Sequence, residues 1–482
     1  MNPIVQSMMN ASTTLNGGAT NLSSNNPVVD LFFQIGAMRA WSEEAIIQAF
    51  ERAFAYNQAQ ALKVLFWARD IRQGSGERRT FRVVCRHLAQ NHTELMNGLM
   101  RLIPEYGRWD DLLCFINPEA EKAPCEEQAL FLIADALYSG NALAAKWCPR
   151  ERSSKRALAR KIRKHMRLCP REYRKLLSST TKVVESQMCA GEWDSINYGH
   201  VPSQAMSIYK NAFGRHSEER WAEYLKGLAS GTEKVNAGAI YPHEIIGKYI
   251  SQYEKRQIPA VSEAQWAAMP NWMENNPYRI LPVVDTSGSM YGSYAESSSL
   301  KPIQVSVALG LYIAERNEGP FKDCFVTFSE NPAMQYVYGD NLTDRVNSVS
   351  SADWGMNTDL YRTFDAILSH AQRVRAAHYD MPNVVLILSD MEFDVGVSVN
   401  KTAMEQAREL WARSGYEFPK IVFWNLNARG GNVPVLFRED GTALVSGFSP
   451  AIMKSLLSGE NFTPEGIMLQ TIEGERYSQV SL

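Results

Sequence analysis

"ILPVVDTSGSMYGS", residues 280–293, is the stretch on which the fold turns. An apolar run reads as a buried strand; it stops at Asp285 and opens into small hydroxylated residues. Asp285, Ser287 and Ser289 stand at i, i+2 and i+4, so three oxygen-bearing side chains fall within five residues. Such crowding suits a hard cation. It also suits a polar turn that caps the next helix, with Asp285 as the capping residue.

The sequence downstream bears on that choice. From Tyr278 the strand-like runs "RILPVVD", "DCFVTFS", "NVVLILSD" and "KIVFWNL" alternate with helical "KPIQVSVALGLYIAERN", "LYRTFDAILSHAQRVRA" and "KTAMEQARELWARSG". Short apolar strands separated by helices predict a mostly parallel sheet with helices on both faces, a Rossmann-like α/β domain. Ligands of such sheets sit at the carboxyl ends of the strands. Asp285 and Asp390 both end apolar strands, and "GMNTDL" supplies Thr358 between them. Asp285, Ser287, Ser289, Thr358 and Asp390 form an oxygen-only set that suits Mg²⁺ or Mn²⁺ rather than zinc. With two formal negative charges, such an ion keeps positions for water or an incoming acidic group. An aspartic protease would need Asp-Thr-Gly, and a haloacid-dehalogenase-type phosphatase a second Asp at 287; neither pattern is present.

The spacing and order of these residues resemble the metal-ion-dependent adhesion site (MIDAS) of von Willebrand factor A (vWA) domains. There, D-x-S-x-S, a Thr and an Asp come from three loops. The resemblance covers roughly residues 278–475. It implies that Ser287, Ser289 and Thr358 are direct ligands, with the aspartates acting partly through water. It also implies a protein partner whose acidic residue completes the shell.

Upstream, from about Asp30 to Met273, apolar residues recur at helical intervals, as in Ile46, Phe50, Phe54, Ala61, Leu65 and Ala68. Further helices are predicted over Arg79–Gln90, His92–Ile103, Glu126–Ser139, Ser153–Arg167, Pro170–Ser186, Val201–Phe213, Ser217–Ser230 and Pro242–Arg256. Such a series buries its faces by stacking helix pairs, as HEAT-like solenoids do. The phrases "FWARDIRQGSGERRTFR", "IPEYGRWDDLL", "AAKWCPRE", "EYRKLLSS", "CAGEWDSINYGHVPS" and "YPHEII" resemble a helical-repeat family with an attached vWA domain. That family is related to the TROVE module of the Ro autoantigen. The resemblance implies a ribonucleoprotein whose helical module, a closed ring in Ro itself, binds small non-coding RNA or single-stranded RNA ends.

The charge distribution is uneven. Lys146 to Lys175 carries 13 Lys/Arg against two Asp/Glu, inside a chain of net charge −2, so the remainder is acidic. That contrast points to a polyanion-facing patch. In "SKRALARKIRKHMRL", Arg156, Arg160, Arg163 and Arg167 fall within about 60° of one another on a helical wheel. Leu158, Ile162 and Met166 cover roughly the opposite side. With Lys155 and Lys164 nearby, these are the candidate RNA-binding residues, since guanidinium suits phosphate. A solvated basic helix, or one paired with acidic neighbours, is the plainer reading. Gly74-Ser75-Gly76, flanked by arginines, is a connecting turn or a phosphate cradle. Trp109, Trp147 and Trp193 are expected in packing, and His200 and His243 in structural roles.

Seven cysteines without a C-x-x-C pair argue against a disulfide framework or a zinc site and suggest a reducing, cytoplasmic setting. No apolar stretch approaches a membrane span. Residues 1–29, uncharged and rich in Asn, Ser and Thr, are expected as a disordered tail. The division expected is a 1–29 tail, a 30–273 all-α TROVE-like module, a 278–475 α/β vWA domain and a 476–482 tail. The expected function is RNA recognition without catalysis and without DNA or membrane. A protein-interaction scaffold using the helical array and the metal site is the alternative.

Overall fold

The computed structural model describes residues 9–119, 122–251, 253–292, 300–328, 332–352, 354, 358–395, 401–458 and 461–481. The carboxyl-terminal part is built on a six-stranded sheet of β3 (Ile280–Val284), β4 (Cys324–Thr327), β5 (Met334–Tyr336), β6 (Val384–Ser389), β7 (Lys420–Asn425) and β8 (Thr442–Ser446). Its order is β5-β4-β3-β6-β7-β8, parallel throughout except for the antiparallel edge strand β5. Every residue of β3, β6 and β8 is buried, the pattern expected of strands covered on both faces. Pro282 lies within β3 but below its ladder with β4, which begins at Val283. β5 has three residues, and β8, though as long as β3, begins and ends on hydroxylated residues, so neither stands out in the sequence.

From β3 the chain steps outward to β4 and β5, then returns across β3 to β6 and continues to β8. The direction of winding therefore reverses between β3 and β6. That is the switch point where loops diverge and leave a crevice. Asp285 follows β3 and Asp390 follows β6, so the topology brings the two carboxylates to that crevice. A long helix, Pro302–Arg316, lies against β3 so closely that a Cβ on Gly310 would stand 2.4 Å from a Val284 methyl.

The amino-terminal part is helical, with α1 (Pro27–Gln34), α2 (Glu43–Tyr56), α3 (Gln58–Arg69), α4 (Arg78–Asn91), α5 (Glu126–Tyr138), α6 (Arg156–His165) and α7 (Pro170–Thr180) among its helices. Two expected helices are cut short. The β-branched run after Thr180 separates α7 from a second helix at Val184–Ala190, and the helix from Pro242 ends at Ile246.

The phrases that gave the resemblance mark internal ties. Arg69, from "FWARD", meets Asp111, from "GRWDD", at 2.8 Å with both side chains buried. Arg82 on α4 bonds Asp111 (2.7 Å) and Asp110 (2.9 Å). Gly74-Ser75-Gly76 is a turn against the end of β8. Ser75 is buried, and a Cβ on Gly447 would meet its hydroxyl.

Both ends of the chain differ from expectation. From residue 9 the supposed tail is ordered: β1 (Ala11–Thr13) and β2 (Ala19–Asn21) form an antiparallel hairpin, and Asn26 caps α1 through its side chain. Residues 1–8 lie outside the described residues. α1 packs onto the sheet, where Asn425 and Ser446 donate to the carbonyls of Phe33 and Phe32 at 2.8 and 2.7 Å. Its composition hid this, because the segment is fixed by hydrogen bonds to distant residues. Nor do the described residues 476–481 of the expected 476–482 tail run free: Arg476 and Tyr477 bond Asp70, and Val480 is buried. One continuous core therefore runs from α1 through the helices into the sheet, with a small second core around Tyr198, Phe213 and Tyr224.

All seven cysteines are unpaired. Among the described residues no helix is long and apolar enough to cross a membrane.

Candidate functional site

Strand β3 delivers Asp285 to the crevice fully buried, its N–H donating to the Leu388 carbonyl on β6 at 3.0 Å. One carboxylate oxygen accepts the Ser287 N–H (2.9 Å), the other the Ser389 hydroxyl (2.5 Å). The hydroxyls of Ser287 and Ser289 are 3.0 Å apart. Asp390, also buried, is hydrogen-bonded by Ser289 and accepts the Glu392 N–H at 3.3 Å. The structure therefore gathers Asp285, Ser287, Ser289 and Asp390 in one place. Met391, between Asp390 and Glu392, has φ of +64°, a strained turn that the surrounding loop holds.

Electrostatically the place is unfinished. Among the described residues no Lys, Arg or His forms an ion pair with Asp285 or Asp390. Burial raises Asp285 above the ordinary carboxylate value. Burial first, and the neighbouring Asp285 second, push Asp390 up to about 7. Buried carboxylates without a counter-charge are costly, and an oxygen-liganded cation offsets that cost. The donor set fits Mg²⁺ or Mn²⁺. No group of three or more His, Cys, Asp or Glu among the described residues is arranged to hold a metal, so any ion here depends on hydroxyls.

Thr358 lies beside this group and not inside its hydrogen-bond network. Its hydroxyl donates to the Glu392 carbonyl (2.8 Å) and accepts from the Asn16 amide (2.9 Å), while its N–H donates to Asp394. Sequence reasoning missed Ser389, Glu392, Asp394 and Asn16. The first three could have been found in "LSDMEFD", which repeats acidic residues just past a strand end. Asn16 carried no such signal.

The basic helix α6 divides its cations. Arg156, Arg160 and Lys164, at four-residue spacing, are exposed, as are Lys155 before the helix and Arg167 beyond it. None of these five forms an ion pair with a carboxylate of the described residues. Arg163 is different: it pairs with Glu151 at 2.8 Å and donates to the Leu168 carbonyl, also at 2.8 Å. On the helical wheel it borders the buried positions Ala159, Ile162 and Met166, and so it turns inward. Arg171, Arg174 and Lys175 on α7 are also exposed and extend the basic surface. Trp147 lies under Arg108 and Trp193 stacks on His216, both packing roles. Buried His243 is held near 3 by desolvation first and Arg39 second, and so stays neutral.

A family described as a domain of unknown function, DUF2828, matches residues 14–129 and 130–276, more than half of the chain. The chain belongs to the DUF2828 family. A second domain of unknown function, DUF7788, matches residues 279–480. The first match begins inside the hairpin, after β1, and the second reaches past Arg476, so β2 and the Arg476–Val480 segment fall within the matched domains. The chain is similar to "Uncharacterized protein L728" of Acanthamoeba polyphaga mimivirus, at 29% identity over 97% of this chain and 88% of the relative. Among solved structures it is similar to the Deinococcus radiodurans RO (RSR) protein, at 15% identity and a TM-score of 0.32, covering 91% of this chain and 93% of that one.

Proposed function

We propose that this DUF2828-family protein is a recognition protein: its helical, TROVE-like part binds small non-coding or single-stranded RNA, and its sheet, read as a vWA domain, holds one Mg²⁺ or Mn²⁺ at the β3/β6 rim. The observation that carries the RNA reading is the row Arg156, Arg160 and Lys164, with Lys155 and Arg167 at its ends, exposed and without carboxylate partners among the described residues. Unpaired cations spaced along a helix meet a phosphate backbone, and their affinity falls with salt. The cation reading is supported by two buried carboxylates and two hydroxyls that converge with no ion-paired positive side chain from the described residues. Asp285, Ser287, Ser289 and Asp390 would hold the ion, with Thr358 reachable once its present bonds are released. The bound ion would offer an open position to the acidic side chain of a protein partner. Recognition without turnover is the chemistry proposed, in a cytoplasmic setting.

The test is binding of nucleic-acid-free full-length protein to a single-stranded RNA, to a small hairpin RNA and to DNA of the same sequence, across a salt series. Arg160→Glu with Lys164→Glu is expected to weaken RNA binding at least tenfold and to flatten the salt slope by about 1–2. Arg163→Glu should act mainly on stability, because its partner is Glu151. Protein that ignores RNA at low salt would favour a scaffold using the helical array for protein partners. Equal affinity for DNA would remove RNA as the specific ligand.

A further inference from the structure

The rim that carries Asp285 and Asp390 is covered on one side by the chain's own amino-terminal hairpin. The Thr14 hydroxyl donates to the Phe393 carbonyl at 2.6 Å, and the Leu15 N–H to the Glu392 carboxylate at 2.7 Å. The Asn16 amide nitrogen donates to the Glu392 carbonyl (2.7 Å) and to the Thr358 hydroxyl (2.9 Å). Gly17 forms a β-bridge with Asp394. A Cβ on Gly18 would stand 2.4 Å from the Phe393 oxygen, so only glycine lets the backbones approach this closely. Residues 14–18 thus follow the loop after β6 step by step, and Asn16 ends on a hydroxyl assigned to the ion.

The grip is polar. Met9, Leu15 and Leu22 are exposed, and the hairpin's own buried positions are Thr14, Gly18 and Thr20. A two-stranded hairpin with no apolar face is marginal alone, and a segment held by hydrogen bonds that water can replace opens at low cost. The same hydrogen bonds also show what the rim accepts: a tight turn presenting a hydroxyl, a backbone N–H and a short carboxamide.

We infer that residues 14–18 are a tethered occupant of the rim, a β-turn held by its carboxamide, and that the cation opens to an acidic turn of a protein partner only when the hairpin withdraws. This rests on the reading of the rim as a cation site. Docking of the hairpin and binding of the partner then exclude each other, and the docked fraction lowers the partner's apparent affinity in proportion.

The experiment uses the full chain and the variants Gly18→Val and Asn16→Ala. The probes are Mn²⁺ alone, followed by electron paramagnetic resonance, and a fluorescent peptide copying residues 10–22 with Asn16→Asp. Gly18→Val should speed amide exchange across residues 11–21 and tighten Mn²⁺-dependent peptide binding about tenfold or more. Asn16→Ala, which needs no backbone rearrangement, should shift both readouts the same way by less. Adding Ser289→Ala should abolish the gain. Mn²⁺ bound in all forms with equal peptide affinity overturns the tethered occupant alone. Mn²⁺ bound in none overturns the cation reading and the occupant with it.

Discussion

Asp111 shows how much of this chain's signature is structural. Its carboxylate is fully buried and takes Arg69 on one oxygen and Arg82 on the other, while the Arg108 N–H donates to it as well. Removing one partner of such a set strands the rest, so Asp111→Ala is expected to destabilise by about 3–5 kcal/mol. Chemical denaturation would read this, and a loss under 1 kcal/mol would mean that solvent already reaches the arginines. Lys210 makes the opposite case. Its side chain is largely buried, bonds Ser262 at 2.8 Å and has no carboxylate partner among the described residues, and burial lowers the amine to about 8. Between 8 and its ordinary 10.5 the folded chain binds fewer protons than the unfolded one. The charged amine therefore costs stability below pH 8, and the cost is relieved as pH rises through that window. Lys210→Met should raise stability at pH 7 by something on the order of 1 kcal/mol, solvent access having reduced the full effect. Measured at pH 10.5, the gain should be gone; a gain that persists there would assign it to packing alone.

Strands and helices were unequally legible. β3, β6 and β7 are continuous apolar runs, because burial on both faces removes the polar alternation, and their ends marked Asp285 and Asp390 correctly as neighbours. α6 was legible as a helix, but its face was not. Whether Arg163 points outward depends on where Glu151 lies, and Glu151 precedes the helix in a turn that periodicity does not describe. The hairpin was invisible for a related reason: its partners on the rim are 342 to 379 residues away, and nothing local distinguishes it from a disordered polar segment. A prediction belongs here. Asn26 caps α1 by accepting from the N–H groups of Val28 and Val29, and the same helix carries Phe32 and Phe33 into the core. Asn26→Ala should cost about 1 kcal/mol, as lost caps do. Because α1 bonds β7 and β8, the loss should appear in amide exchange of the sheet as well as of the helix. Exchange that changes in α1 alone would separate the hairpin and α1 from the sheet.

The two parts of the chain share more than a linker. α1 lies on the sheet, Phe32 packs tilted against Trp67 with ring centroids 4.4 Å apart, and the carboxyl-terminal Arg476 and Tyr477 return to Asp70 at the end of α3. Buried apolar side chains are continuous across these junctions, so the helices and the sheet should unfold together, as elements of one core do. The small core around Tyr198, Phe213 and Tyr224 is separate and should open first. Calorimetry should therefore show one main transition, with amide exchange in residues 184–235 released below it. Arg476→Ala removes a charged partner from buried Asp70 and should lower the main transition for helices and sheet alike. If only the helical signal moved, the junction would be a contact between two independent domains, and the shared core would not make them one folding unit.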